Sequence, residues 1–438
     1  MRLPTLLLLL LFAVPAAAAD RVWVPGWRAT APLTSARAGA AVLEANGHLY
    51  ALGGVDGRSF LKTVEYAPIR ADGTLGEWHL TAPLNEERGF FDAVAHDGFL
   101  YAAGGGNGPN GEHLLASVER APLRADGRLG PWETLPVALN LPRRCVKLAV
   151  GGDALYALGG FGGALLDTVE RAEFGAGGLG PFTLQPERMT IPRYVNAAKA
   201  HGDTLYVIGG HDQNEGRGLA TVEYTRVSGP VTPAWRSTAA MGAGRYGLAV
   251  FGHGDHLYAL GGLDGARYSD SIELSRILPD AALGPWRPTT ALSSPRANFG
   301  AVEHGGRVYI VGGTNRGGYY RTVELAEFDE AGDIGYWATK EEAAAAAARR
   351  AAALEEGARA ADLPNEGEVR EVINTEVYSY LRVTDGAGER WLATERSDYR
   401  VGERIRYGRG TLMGNFRSRA LGRDFASILF VERTERVR

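Results

Sequence analysis

The sequence predicts an all-β fold: a six-bladed β-propeller, then an alanine-rich helix and a small β-barrel. Three observations lead there. A hexamer ending in two glycines, LYALGG at Leu49, returns as LYAAGG at Leu100, LYALGG at Leu155, LYVIGG at Leu205, LYALGG at Leu257 and VYIVGG at Val308. The spacing of about 50 residues is that of a repeat architecture. Each copy precedes a β-branched block: TVEY at Thr63, SVER at Ser117, TVER at Thr168, TVEY at Thr221, SIEL at Ser271 and TVEL at Thr322. A third block, Gly-x-Trp, closes the unit at Trp78, Trp132, Trp286 and Trp337.

The first element is not part of the ring. MRLPTLLLLLLFAVPAAAAD has a basic start at Arg2, an apolar stretch and small residues up to Ala19. This pattern predicts a secretory signal peptide over residues 1–19, too short for a membrane span, and hence a periplasmic or secreted protein with no stable membrane insertion once it is cut. No cysteine follows the predicted cut, which argues against a lipid anchor. The chain holds 60 glycines in 438 residues, about twice the usual ~7% share, so many turns are expected. A net charge of −4 argues against a general nucleic-acid binder. The single Cys145 has no partner for an internal disulfide, so packing alone must hold the exported fold.

The propeller is predicted over residues 20–337. In LYALGG, Leu49 and Ala51 face one way and Tyr50 and Leu52 the other. Both faces are apolar, so the strand must be covered on both sides. Polar turns such as EANG, AHDG and EHGG join it to a preceding strand of small residues, RAGAAV at Arg37 or PRANFGAV at Pro295. With the TVE and Gly-x-Trp blocks, each unit supplies four short strands. Sheets apolar on both faces need identical neighbours, and a ring of six removes the open ends. The glycine pair then sits where the backbone passes the next blade, with no room for a Cβ or with φ turned positive. PGWRATAPL at Trp27 matches WHLTAPL after Trp78, so the N-terminal strand is expected to complete the last blade, in competition with Trp337.

From about Val22 to Trp337 these blocks resemble the Kelch family of propellers, whose signature is a double glycine after an apolar strand, then a spaced Tyr and Trp. The chain departs from it at Phe182, at PAW before Arg236, and in keeping the tyrosine after TVE only at Tyr66 and Tyr224. The resemblance implies recognition by loops. Similarity to exported bacterial Kelch sugar mutarotases implies an alternative, a carbohydrate-active mutarotase or epimerase acting on an acidic sugar. Kelch oxidases use copper beside a Cys-Tyr pair, but no ligand pair accompanies Cys145, and no cofactor or metal is expected.

Residues 338–363 predict a helical spacer, opened by a capping box of Thr339 and Glu342 and filled with alanine. Residues 364–438 alternate as short strands, YSYLRV, RWLAT and ILFVE, separated by DGAG and VGE. They predict a barrel of about five strands that looks OB-like. Val401–Ile405, Met413, Asn415, Phe416, Leu421–Phe425 and Ile428–Val431 resemble small exported bacterial domains, a likeness that brings no activity. Tyr378, Tyr380 and Trp391 could stack on bases, but their arginines alternate with carboxylates, and no nucleic-acid partner is expected.

Candidate ligand-binding residues fall in two sets. One arginine opens the innermost strand of each blade: Arg37, Arg88, Arg143, Arg193, Arg245 and Arg296. Each is expected to pair with the glutamate of its TVE block (Glu65, Glu119, Glu170, Glu223, Glu273, Glu324), with donors to spare for an anion. The loops after the glycines surround the same mouth and differ most between repeats. They carry Asp56, Arg58, Asn107, Asn110, His211, Asp212, Asn214, Arg267, Tyr268, Asn315, Arg316 and Tyr319. His48, His96, His201, His253, His256 and His304 lie at hairpin turns with no metal-site spacing. Inside the channel, Asp92 and Lys147 are expected to form an ion pair. The leading expectation is a non-enzymatic binding or scaffold protein that displays the loop face to a protein, glycan or small anion.

Overall fold

The computed structural model describes residues 21–437 apart from 213–215, 228, 317, 360–362, 364, 387 and 409. The predicted signal peptide and Asn214 lie outside the described residues.

Six antiparallel sheets form the ring, each with its innermost strand at the channel. In the first blade these strands are Ala41–Ala45, His48–Leu52, Val64–Pro68 and His79–Thr81. The apolar alternation has the predicted result, because one strand feeds two cores. Leu49 and Ala51 pack toward Tyr309 and Val311 of the sixth blade, and Tyr50 and Leu52 toward Leu100 and Ala102 of the second. Six such clusters, one at every seam, replace a single central core. The tyrosines also stitch blades together: the Tyr50, Tyr206, Tyr258 and Tyr309 hydroxyls donate to the carbonyls of Gly127, Ala281, Gly332 and Gly73.

Both reasons proposed for the glycine pair operate. Gly53 has φ +54°, and a Cβ there would lie 2.5 Å from the Arg88 carbonyl oxygen of the next blade. Gly54, at φ +94°, would meet the Ala38 carbonyl at 2.7 Å.

Two segments share the outside of the sixth blade. Arg28–Thr30 pairs with Val323–Leu325 in the register that His79–Thr81 uses against Val64–Tyr66. Trp27 therefore occupies the position of Trp78, and the N-terminal strand fills the fourth place. Ile334–Thr339 instead meets the lower end of that blade at Glu327 and Phe328, and pairs along its length with Arg21–Pro25. Trp337 is left 44% exposed, edge-on to Trp23 at 5.4 Å.

The helix spans Lys340–Arg359. Its capping box forms reciprocally, with the Thr339 amide donating to Glu342 Oε2 (2.9 Å) and the Glu342 amide to Thr339 Oγ1 (3.2 Å). The C-terminal region is a sheet of seven strands rather than about five. In spatial order they are Thr411–Ser418, Arg423–Phe430, Gly388–Glu395, Tyr378–Asp385, Asn365–Asn374, Arg404–Tyr407 and Thr434–Arg436. Of the short strands, RIRY alternates exposed arginines with buried Ile405 and Tyr407 over only four residues, and TER is three polar residues with no apolar pattern to announce it. Val369, Leu381, Val383, Leu392, Ile405, Tyr407 and Val431 form a core of their own. Among the described residues no helix is long and apolar enough to cross a membrane.

Candidate binding face

The six arginines lie inside the blades, each at most 2% exposed. Each Nη1 donates to the first glycine of its own blade's pair, as from Arg193 to Gly209 O (2.8 Å) and from Arg37 to Gly53 O (2.8 Å). Each Nη2 meets its TVE glutamate: Arg37 with Glu65, Arg88 with Glu119, Arg143 with Glu170, Arg193 with Glu223, Arg245 with Glu273 and Arg296 with Glu324. The second carboxylate oxygen is also engaged, by the amides of Thr34, Asn85, Asn140, Thr190 and Gly242 or, at Glu324, by the Ser293 hydroxyl. Burial pulls the guanidinium pKa of Arg37, Arg143, Arg193 and Arg245 down, and the paired glutamate opposes it. The ring thus spends most of its donors on holding the entry loop, the glycine turn and the TVE strand together.

The loops above it divide into two sectors. In the first two blades the loop tips, Gly57–Ser59 and Pro109–Asn110, are exposed. The Asp56 carboxylate accepts the amides of Arg58 and Ser59 (both 2.8 Å), and these bonds, the Ser59 one foremost, lower its pKa. The Asn107 side chain donates to Glu87 O (2.9 Å) and faces His113 Nδ1 (2.6 Å), while Asn110 takes φ +56° at an exposed turn. Tyr319 leans from the sixth blade over Gly57.

The remaining loops lie beneath the C-terminal sheet. Arg316 pairs with Glu432 across this contact, and Gly265 sits against Val377 and Tyr378. A cavity of about 440 Å³ brings Arg267, Tyr268, Asn315 and Arg316 together with Glu395 and Glu432. Burial raises the Tyr268 pKa to about 12 and pushes the Glu432 carboxyl up, with Arg316 countering part of the latter. Beside it, a cleft of about 320 Å³ runs between Phe161, Tyr194 and His211 on the propeller and Tyr378, Phe416 and Phe430 on the sheet. His211 is wedged edge-on between the rings of Tyr194 and Tyr246, with Nδ1 2.7 Å from Asp212 O. Burial lowers its pKa and favours the neutral ring.

The structure corrects the channel pairing. The Asp92 carboxylate accepts the amides of Ala93 and Leu148 (both 3.0 Å), and no ion pair to Lys147 forms. Innermost strands have no neighbour on the channel side, so the free Leu148 amide of the next blade competes for the carboxylate. The turn histidines stay apart: His253 faces Glu303 (3.2 Å), His304 faces Glu44 (3.4 Å) and His96 stacks on Phe174. Among the described residues no group of three or more His, Cys, Asp or Glu could hold a metal.

Sequence reasoning missed Arg144, Tyr194 and Tyr246, which follow the ring arginine in blades three to five. The other blades have Ala38, Gly89 and Ala297 there. Each of these residues bridges to the loop after its glycine pair, as Arg144 to Phe161 and Tyr194 to His211. The change from small to large side chains marks blades three to five of the covered sector, though not blade six, and it is readable once the repeats are aligned at the arginine.

Comparison with known proteins agrees with this architecture. Residues 36–66 and 295–325, in the first and sixth blades, match the Kelch motif, so two repeats of the six-bladed propeller carry it. Kelch-like protein 41b of Danio rerio is 30% identical over 96 residues, covering 22% of this chain and 15% of that protein. Human Kelch-like protein 33 is 36% identical over 127 residues, covering 29% of this chain and 22% of that protein. The chain therefore spans under a quarter of the length of these relatives. The solved structure of YjhT superposes with a TM-score of 0.57 at 16% identity, over 70% of this chain and 98% of that one, a likeness of fold.

Proposed function

We propose that this chain is an exported, non-enzymatic recognition protein whose Kelch propeller binds a protein partner through the open loops of blades one and two. The single observation behind the reading is the division of the loop face. Loops in blades three to six lie beneath the C-terminal sheet, while the Asp56–Ser59 turn is shaped by its own hydrogen bonds and the blade-two turn is pinned through Asn107 to Glu87 and through Asn110 to Arg144, leaving Gly57–Ser59 and Pro109–Asn110 exposed. Preformed loops bind with little ordering cost. The likeness to Kelch-like proteins supports a protein as the partner, and the buried arginine ring fits a structural role. The parallel pairing of Gly388–Glu395 with Arg423–Phe430 supports an OB-like reading of the C-terminal sheet, which here serves as a cover.

The test is site-specific photo-crosslinking in a bacterial envelope, with the probe at Arg58 or, as control, at exposed Glu330 in a turn of the sixth blade. A discrete adduct from position 58 alone is expected. No adduct, or equal adducts from both, rejects the reading, and exchange of acidic-sugar anomers by the purified protein replaces it with the mutarotase alternative. Export is checked by sequencing the mature N-terminus, expected near Asp20.

A further inference from the structure

The cleft between the propeller and the C-terminal sheet has a chemistry that recognition at blades one and two does not use. We propose that it is a binding site for a small aryl carboxylate, a single aromatic ring bearing one anionic group, held by Arg144 from the propeller and Arg419 from the sheet.

Arg144 provides the first argument. It lies 5.2 Å from the centre of the Phe161 ring and 5.8 Å from that of Tyr194. Its Nη1 donates to the carbonyls of Asn110 (3.0 Å) and Gly111 (3.1 Å), which fixes the guanidinium, and its Nε is buried without an acceptor among the described residues. Arg419 lines the opposite wall from the turn after Thr411–Ser418. The one acid on the lining, Asp212, has an interaction of its own. Docking the sheet thus brings two guanidiniums to one small cleft, against the acid of Asp212 on the same lining.

The body of the ligand follows from the walls. Phe161, Phe416, Phe430 and Tyr378 present ring faces and edges, suited to stacking. Two polar tips of the lining are used on one another, the Ser418 hydroxyl donating to Tyr380 Oη (3.1 Å). A sugar would leave its buried hydroxyls unsatisfied here, at a cost for each, whereas an aromatic ring needs no such partners. At about 320 Å³ the cleft is at the small end for ligand sites, which favours one ring over an oligosaccharide or peptide.

The experiment is calorimetric titration of the full chain with phenylacetate, with neutral phenylacetamide and with glucuronate. Phenylacetate is expected to bind, and phenylacetamide about tenfold or more weakly, because the carboxylate is the group the arginines recognise. Arg419→Ala, at an exposed turn, and Arg144→Lys, which keeps a charge but not the fork, should each weaken phenylacetate about tenfold; the first should leave the melting temperature little changed, and the second should lower it as the Asn110–Gly111 turn loses its donor. No phenylacetate binding, equal binding of the amide, preference for glucuronate, or binding indifferent to both substitutions overturns the proposal. The site is separate from the Arg58 loop, so these outcomes leave the crosslinking test independent.

Discussion

Trp27 and Ala291 stand 264 positions apart in the chain, yet the indole N–H of the first donates to the carbonyl of the second over 3.0 Å. The same bond runs from Trp78 to Ala31, from Trp132 to Ala82 and from Trp286 to Ala239. The sixth blade is thus fastened to the fifth by a residue from the other end of the propeller. Trp27→Ala should cost about 3 kcal/mol in urea unfolding, the usual range for removing a large packed side chain. The exposed Trp337→Ala should cost about 1 kcal/mol. The reverse ranking would show that the late strand closes the ring.

Removing one ring arginine isolates a buried carboxylate. Arg193→Ala should destabilise the propeller by about 3 kcal/mol or more, because Glu223 loses its counter-charge and Gly209 a donor. Arg193→Lys should lose less, since one ammonium keeps the charge but does not reproduce the fork. If thermal unfolding shows both variants close to the parent, the ring is not architectural.

Much of this was legible in the sequence because it repeats. The hexamer, the TVE block and the arginine recur in register, so one ion pair inferred at Arg37 and Glu65 stood for six. Asp92 and Lys147 occur once each, and nothing periodic revealed that a backbone amide would reach the carboxylate first. The cover over blades three to six was hidden for a related reason. It joins Arg316 to Glu432 and sets Phe161 across a cleft from Phe416, over more than a hundred positions, and no pattern local to either segment encodes that meeting.

The contact beneath the sheet should depend on pH. Burial raises the Glu432 carboxyl pKa, Arg316 offsets part of this, and Glu395 adds to it. An acid whose pKa is higher in the docked state binds its proton more readily there. Docking is therefore fully supported below the ordinary carboxylate range and weakens as pH rises through the raised value. Hydrogen exchange in the loop around Arg316 should quicken from acid to neutral pH beyond its intrinsic rate, and Glu432→Gln should flatten the profile. A parent profile as flat as the variant's contradicts this.

The separate cores predict separable folding. A fragment covering 365–438 should unfold cooperatively alone, since Val369, Leu381 and Leu392 pack among themselves. Its melting temperature should lie below that of the same region in the full chain, because Phe416 and Phe430 lose the propeller wall. A fragment that stays unfolded until the propeller is added would show one cooperative unit.

The outer strand of the sixth blade carries a consequence for the order of synthesis. Arg28–Thr30 leaves the ribosome early, and its partner Val323–Leu325 is made about three hundred residues later. Until then five blades can form in succession while Trp27 waits without a seat, and the half-built ring exposes an unpaired edge at each end. Propeller completion is therefore tied to arrival of the last blade. A chain interrupted before Val323 keeps most of its repeats but is left as an open arc with sticky ends, a natural target for quality control.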